Sequence, residues 1–327
     1  MSESKVDNML TSVELCAGAG GQALGLENAG FAHTALVEID KHCCNTLRHN
    51  RPEWNVLEED MRLFKERAAD YKGMDLLAGG LPCPPFSVAG KQLGEQDERN
   101  LFNDAIDIVD AARPRAVMIE NVRGFLGAVF HDYRERLKSQ LEKLGYKTDW
   151  RLLNASDYGV PQLRPRVVIV AVQKERADFF DWPEPNPHNP PTVGDTLHDL
   201  MAAGGWRGAS DWAAKADEIA PTIVGGSKKH GGPDLGPTRA RAAWATLGVK
   251  GRTIAVEAPG PFYKGLPRLT VPMVARIQGF PDDWHFTGAK TNAYRQVGNA
   301  FPPPVAQAVS TQIAKSLRKR VLRAVSA

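Results

Sequence analysis

Cys83 stands in the run Gly79-Gly80-Leu81-Pro82-Cys83-Pro84-Pro85-Phe86-Ser87, with one proline before it and two after it. Proline rings fix φ, so such a loop holds a side chain in place with little further loss of chain entropy. A thiol held that way suits a nucleophile, provided its surroundings favour the thiolate. A lone cysteine is more often a buried hydrophobe, but the proline frame after an apolar strand reverses that expectation. Glu120-Asn121-Val122 closes a second apolar run, and a carboxyl there is placed for proton transfer. In Gly159-Val160-Pro161-Gln162-Leu163-Arg164-Pro165-Arg166 two arginines occupy alternate positions. In an extended chain they face the same side, where they suit a base, a phosphate or a carboxylate. Gly18-Ala19-Gly20-Gly21 follows the first apolar run. Such a turn lets a ligand approach the backbone above a helix N-terminus. Glu38, with Asp40 beyond it, is placed to accept both ribose hydroxyls of an adenosine cofactor. Asp60 suits either the adenine amino group or a helix N-cap. These features do not separate a dinucleotide from S-adenosylmethionine.

The elements that position these groups alternate. Ser12 to Cys16, Ala35 to Ile39, Met74 to Ala78, Ala116 to Ile119 and Arg166 to Val172 read as buried strands. Between them Gln22 to Ala29, Lys41 to Asn50, Leu101 to Ala112 and Tyr133 to Leu144 read as helices. The alternation predicts an α/β, doubly wound, mostly parallel sheet with helices on both faces. From Trp182 to about Asn189 the chain is rich in Pro and Asn, which reads as a linker. The stretch up to about Pro267 is rich in Gly, Trp and basic residues with weak periodicity, which suggests a smaller, loop-rich unit. Pro303 to Ala324 reads as a last helix.

The chain has 327 residues and a 43% hydrophobic fraction, enough for a substantial core. A net charge of +3 gives no global basic field, so nucleic-acid binding rests on local clusters. The cluster Lys315, Arg318, Lys319, Arg320, Arg323 reads first as the solvated face of the last helix. No run is long enough to span a bilayer, and Met1 to Leu10 lacks a signal-peptide core; the expectation is a cytoplasmic protein. Cys16, Cys43, Cys44 and Cys83 show no zinc-site spacing. His42 beside Cys43 and Cys44 is better read as helix packing, so no metal is expected.

Taken together, the motifs resemble those of the bacterial cytosine-5 DNA methyltransferases. Glu14-Leu15-Cys16-Ala17-Gly18-Ala19-Gly20-Gly21 is similar to the family's cofactor motif, Pro82-Cys83-Pro84-Pro85-Phe86-Ser87 to its nucleophile loop, and Glu120-Asn121-Val122 to its acid/base tripeptide. Gln162-Leu163-Arg164-Pro165-Arg166 resembles its base-binding motif, Arg268-Leu269-Thr270 through Arg276-Ile277-Gln278-Gly279-Phe280-Pro281 a late framing motif, and Arg295-Gln296-Val297-Gly298-Asn299-Ala300 the last cofactor-side motif. The order matches from about Ser12 to Val309. Three positions depart from the common pattern: Cys16 replaces Phe, Pro84 replaces Gln, and Pro272-Met273 replace Arg-Glu.

The resemblance implies a Rossmann-like S-adenosylmethionine-dependent methyltransferase domain with a smaller target-recognition domain. Residues 1–182 would form the first part of the catalytic and cofactor domain, 183–291 the target-recognition domain and hinge, and 292–327 the return. It implies attack of Cys83 on C6 of a cytosine flipped out of double-stranded DNA, with Glu120 at N3 and Arg164 and Arg166 orienting the base. Cys16, Ala17, Gly18, Gly20, Gly21, Glu38, Ile39, Asp60, Pro82, Asn299 and Ala300 would hold the cofactor. Ser87, Lys228, Lys229, Arg239 and Arg241 would touch DNA. It further implies a restriction-modification role, with a cognate endonuclease acting on the same site; a monomer is the default. Three alternatives stand beside this reading: a tRNA cytosine-5 methyltransferase, an NAD-dependent oxidoreductase using Gly18, Gly20 and Glu38, and an inactive DNA-binding regulator. The Trp- and Gly-rich middle favours DNA over tRNA. An oxidoreductase leaves Cys83 and the arginines idle, and intact Cys83 and Glu120 argue against an inactive protein.

Overall fold

A computed structural model describes residues 9–82, 101–186, 188–225 and 232–319. Short apolar runs form the strands β1 (Leu10–Leu15), β2 (Phe31–Glu38), β3 (Val56–Glu58), β4 (Leu76–Gly80), β5 (Ala116–Val122), β6 (Tyr146–Asn154) and β7 (Pro165–Gln173). They make one seven-stranded sheet in the order β3-β2-β1-β4-β5-β7-β6. Strands β3, β2, β1, β4 and β5 run parallel, and β7 lies antiparallel between β5 and β6. The sheet is therefore mostly parallel, with an antiparallel flank that the alternation of elements did not announce.

The first helices are α1 (Gly21–Asn28), α2 (Lys41–Asn50), α3 (Met61–Lys65), α4 (Phe102–Ala112) and α5 (His131–Lys143). They are followed by the short α6 (Lys174–Ala177). The middle of the chain carries α7 (Val193–Ala202), α8 (Ala209–Ala213) and α9 (Thr238–Thr246). Then come α10 (Val271–Ile277), α11 (Lys290–Asn299) and α12 (Pro303–Arg318). Alternate residues of each strand face opposite layers. Leu77, Val117, Ile119, Val167 and Ile169 pack with α3, α4 and α5. Leu76, Met118, Val168 and Val170 pack instead with α1 and α12. The last helix thus packs against the sheet beside α1. The third core joins residues 193–300 to Leu24 of α1, Leu36 of β2 and Leu47 of α2. The middle segment has no sheet of its own among the described residues and leans on the cofactor-side elements.

The α1–α12 contact depends on Gly25. A Cβ there would sit 2.5 Å from Ala306 Cβ and 2.6 Å from the Pro303 carbonyl oxygen, too close unless the helices separate. Overpacking of this kind costs roughly 1–3 kcal/mol. Gly25→Ala is expected to lower the melting temperature by several degrees in a thermal melt; an unchanged midpoint would show that the two helices slide apart freely.

Candidate active site

The carboxyl ends of β1, β2, β4 and β5 converge on one cavity of about 380 Å³. Its floor is the turn after β1, where Gly18 and Gly20 take φ of 55° and 90°, values that favour glycine. Gly21 opens α1 against the chain leaving α11, where an added Cβ would collide with the Phe301 carbonyl oxygen. Glu38, at the end of β2, closes the turn. Its Oε2 accepts from Gly18 N at 2.7 Å and its Oε1 from Asp40 N at 2.6 Å. Burial raises the pKa of Glu38, while these main-chain donors oppose the rise.

Cys16, Ala17, Gly18 and Gly21 line the cavity from the first motif. Glu38 joins them from β2, and Asn299 and Ala300 from the last motif. Four expected cofactor residues do not line it. Gly20 instead makes room for Trp284 and Leu47. Ile39 points outward at 66% exposure. Asp60 caps α3 by accepting from Arg62 N, and both its oxygens take the Arg62 guanidinium. The N-cap reading of Asp60 is the one the geometry shows. Pro82 lies exposed in the chain leaving β4.

Among the lining residues that were not anticipated, two are buried polar side chains with unpartnered atoms. Glu14 is 1% exposed and Gln22 3% exposed. Glu14 Oε2 and both amide atoms of Gln22 have no hydrogen-bond partner among the described residues. Burial raises the Glu14 pKa well above the carboxylate range, and the Glu38 charge adds to it. A raised acid in the fold favours the native state at low pH, and that contribution is lost as pH rises through the native pKa. Glu14→Gln removes an acid that resists ionisation in the fold but ionises freely in the unfolded chain, so the variant without cofactor is expected to melt a few degrees higher at pH 8. The gain should vanish near pH 4, where both proteins are neutral at this site. A variant that melts lower at pH 8 would mean that Glu14 has a stabilising partner.

Glu120 lines the same cavity. In the register of β4 and β5 it stands opposite Gly80, whose missing side chain leaves the space beside Glu120 Oε2. Arg166 Nε lies 2.8 Å from Glu120 Oε1, with both side chains nearly buried. Burial raises the Glu120 pKa and outweighs the lowering by Arg166 and Arg164. The carboxyl is therefore disposed to keep a proton beside a fixed cation. Asn121 Nδ2 donates to Leu81 O at 3.1 Å, tying down the chain two residues before Cys83. Cys83 and Ser87 themselves lie outside the described residues. Burial drives the Cys16 thiol pKa upward and that of Cys44 to about 12, so neither is an activated thiolate.

Arg164 departs from its expected role. It is 1% exposed, and its guanidinium donates to three main-chain carbonyls, those of Ile223, Gly298 and Ala300. Donors spent on buried carbonyls do not face a base, so of the pair only Arg166 sits against the carboxyl. Among the expected DNA contacts, Arg239 is exposed on α9. Arg241 spends its guanidinium on Gly236 O and Thr238 Oγ1. Lys228 and Lys229 lie outside the described residues. Among the described residues no cluster of three or more His, Cys, Asp or Glu fits a metal, and no helix is long and apolar enough to cross a membrane.

A family model described as C-5 cytosine-specific DNA methylase matches residues 10–315. The chain belongs to that family. It is 55% identical to the Type II methyltransferase M.NgoMIV of Neisseria gonorrhoeae, covering 94% of this chain and 98% of the relative. It is also 55% identical to the Type II methyltransferase M.NaeI of Lentzea aerocolonigenes, covering 94% and 75%. The fold is shared with a prophage-encoded E. coli protein described as a DNA modification methyltransferase, at TM-score 0.66, 23% identity and coverage of 95% and 100%. It is shared too with a Spodoptera frugiperda DNMT2 variant, at TM-score 0.62, 20% identity and the same coverage. Membership of the methylase family sets aside the oxidoreductase reading and gives the Gly18 turn and Glu38 a methyltransferase context.

Proposed function

We propose that this protein methylates C5 of a cytosine within a specific sequence of double-stranded DNA. The methyl donor is S-adenosylmethionine, and the protein is the modification enzyme of a type II restriction-modification system. One observation carries the reading. Glu120, held by Arg166, lines the same cavity as the glycine turn and Glu38, and β4 beside it leads into Pro82-Cys83. The names of the two relatives at 55% identity support the restriction-modification context.

The cavity suits a cationic adenosyl amino acid. Glu38 supplies an acidic group at the cavity wall, and the buried Glu14 carboxyl and the unpartnered amide of Gln22 supply hydrogen-bonding groups. Bound there, the cofactor supplies an electrophilic methyl group. Cytosine C5 is a poor nucleophile until a thiolate adds to C6 and makes C5 enamine-like. Cys83 forms that bond. Glu120 lends a proton at N3, so negative charge does not accumulate on the ring, and Arg166 fixes the carboxyl. Once C5 carries the methyl group, a base removes the C5 proton and the Cys83 thiolate leaves. The target must be unstacked to reach this cavity, at a cost of a few kcal/mol. The middle segment is assigned the contacts that offset it.

Expression in a host without cytosine methylation, followed by bisulfite sequencing of host DNA and RNA, tests the proposal. Protected cytosines are expected in DNA at one short motif. Protection confined to RNA, or absent from both, contradicts it.

A further inference from the structure

A buried polar cluster links the start of β7 to two distant segments. Residues 220–223 run beside 161–164: Leu163 N donates to Ala220 O at 2.7 Å, and Ala220 N donates to Pro161 O at 2.9 Å. Gln162, fully buried, accepts from Ile223 N at 2.9 Å and donates to Gln278 Oε1 at 2.7 Å. Gln278 in turn donates to Ala300 O at 2.6 Å. Arg164 lies at the centre. Its Nη1 donates to Ile223 O at 2.6 Å, and its Nη2 to Gly298 O at 2.8 Å and Ala300 O at 3.0 Å.

The two segments so clamped belong to different sites. Asn299 and Ala300 line the cofactor cavity. The segment ending at Gly225 opens the stretch that the sequence assigns to DNA. Two glycines let them touch. A Cβ on Gly298 would lie 2.5 Å from Gly225 Cα, and one on Gly225 would lie 2.6 Å from Arg295 O. A buried guanidinium with only carbonyl partners is costly to keep, since its Nε stays unpartnered among the described residues. Its removal would strand the Ile223 and Gly298 carbonyls, whereas Ala300 O keeps Gln278.

We propose that Arg164 is a positioning residue that makes the cofactor wall and the DNA-side segment one mechanical unit, so that cofactor and DNA binding strengthen each other. The inference rests on the methyltransferase reading above. A ligand that fixes either segment fixes the other through the guanidinium, and the second ligand meets a site already ordered. Thermodynamic linkage makes the effect equal in both directions.

The test uses the full chain, S-adenosylhomocysteine as the cofactor probe and a duplex carrying the motif found by bisulfite sequencing. The Kd of the cofactor probe is measured by calorimetry with and without duplex. The Kd of the duplex is measured by anisotropy with and without the probe. Wild type is expected to show the same gain of about tenfold in both directions, a coupling of about 1.4 kcal/mol. Arg164→Met is expected to bring the ratio below about twofold, with Arg164→Lys in between. Gly225→Ala, which pushes the segments apart without touching Arg164, should do the same, and it decides the matter if Arg164→Met does not fold. Wild-type coupling in the folded variants, or none in wild type, overturns the inference. If bisulfite sequencing finds no DNA motif, the functional reading itself has failed first.

Discussion

Cys83→Ala abolishes methyl transfer, with single-turnover rates expected to fall by more than about 10⁴-fold. The loss follows from the chemistry of the base. Without a covalent bond at C6, C5 has no electron pair to offer, and proton donation or orientation does not replace one. Neither Cys16 nor Cys44 is placed to take over. Cys16 lines the cavity, but burial and the neighbouring Glu38, Asp60 and Glu14 charges all hold it protonated. Cys44 is buried, and its Sγ donates to Glu38 O. Cys83→Ser should be nearly as inactive, because a hydroxyl ionises far less readily than a thiol. Cofactor affinity should change little, since the cavity is built by the β1 and β2 ends and α11. Residual activity above about 1% of wild type in Cys83→Ala would mean that another group forms the bond or that none is needed.

Glu120→Gln carries the second large effect, a fall of roughly 10²–10⁴ in the single-turnover rate, the range for loss of a general acid or base. The amide keeps the shape of the side chain and donates a hydrogen bond, but it has no proton to lend at N3. The pH profile separates this role from simple packing. Burial raises the Glu120 pKa, so the protonated, active form persists above the ordinary carboxylate range and is lost as pH rises further. Arg166 opposes the rise. Its removal therefore moves the alkaline limb to still higher pH, even as the rate falls through loss of orientation. Wild type and Arg166→Met are compared by single-turnover rate against pH, with Glu120→Gln as the control that lacks this limb. An alkaline limb that stays in place in Arg166→Met, or survives in Glu120→Gln, would assign it to another group.

The sheet was legible where strands are buried on both faces. β1, β4, β5 and β7 read as apolar runs because helices cover them on both sides. β6 was missed because Tyr146–Asn154 mixes polar and exposed residues and pairs only with β7 at the sheet edge. β3 is three residues long and gives no period to read. The antiparallel direction of β7 is a long-range fact that no local pattern encodes. Alternation also misled at Arg164. It precedes β7, which begins at Pro165, and its contacts come from residues about 60 and 135 positions away in sequence. A signal for Glu14 was present but unused: a carboxylate within the buried run Ser12 to Cys16 needs a reason to be there. Gln22 offered no such signal, because a glutamine in the first turn of a helix is ordinary until both its amide atoms prove unpartnered.

The central claim is that Cys83 adds to C6 of the target cytosine and is released only when the C5 hydrogen leaves. A duplex carrying 5-fluorocytosine at the mapped position tests it most directly, because fluorine at C5 cannot leave as a proton does. The protein is incubated with that duplex and S-adenosylmethionine, digested, and examined by mass spectrometry. The account predicts a stable adduct, with the methylated fluorinated nucleotide joined to the peptide containing Cys83. An adduct on Cys16, Cys43 or Cys44, or full turnover with no adduct at all, would contradict it.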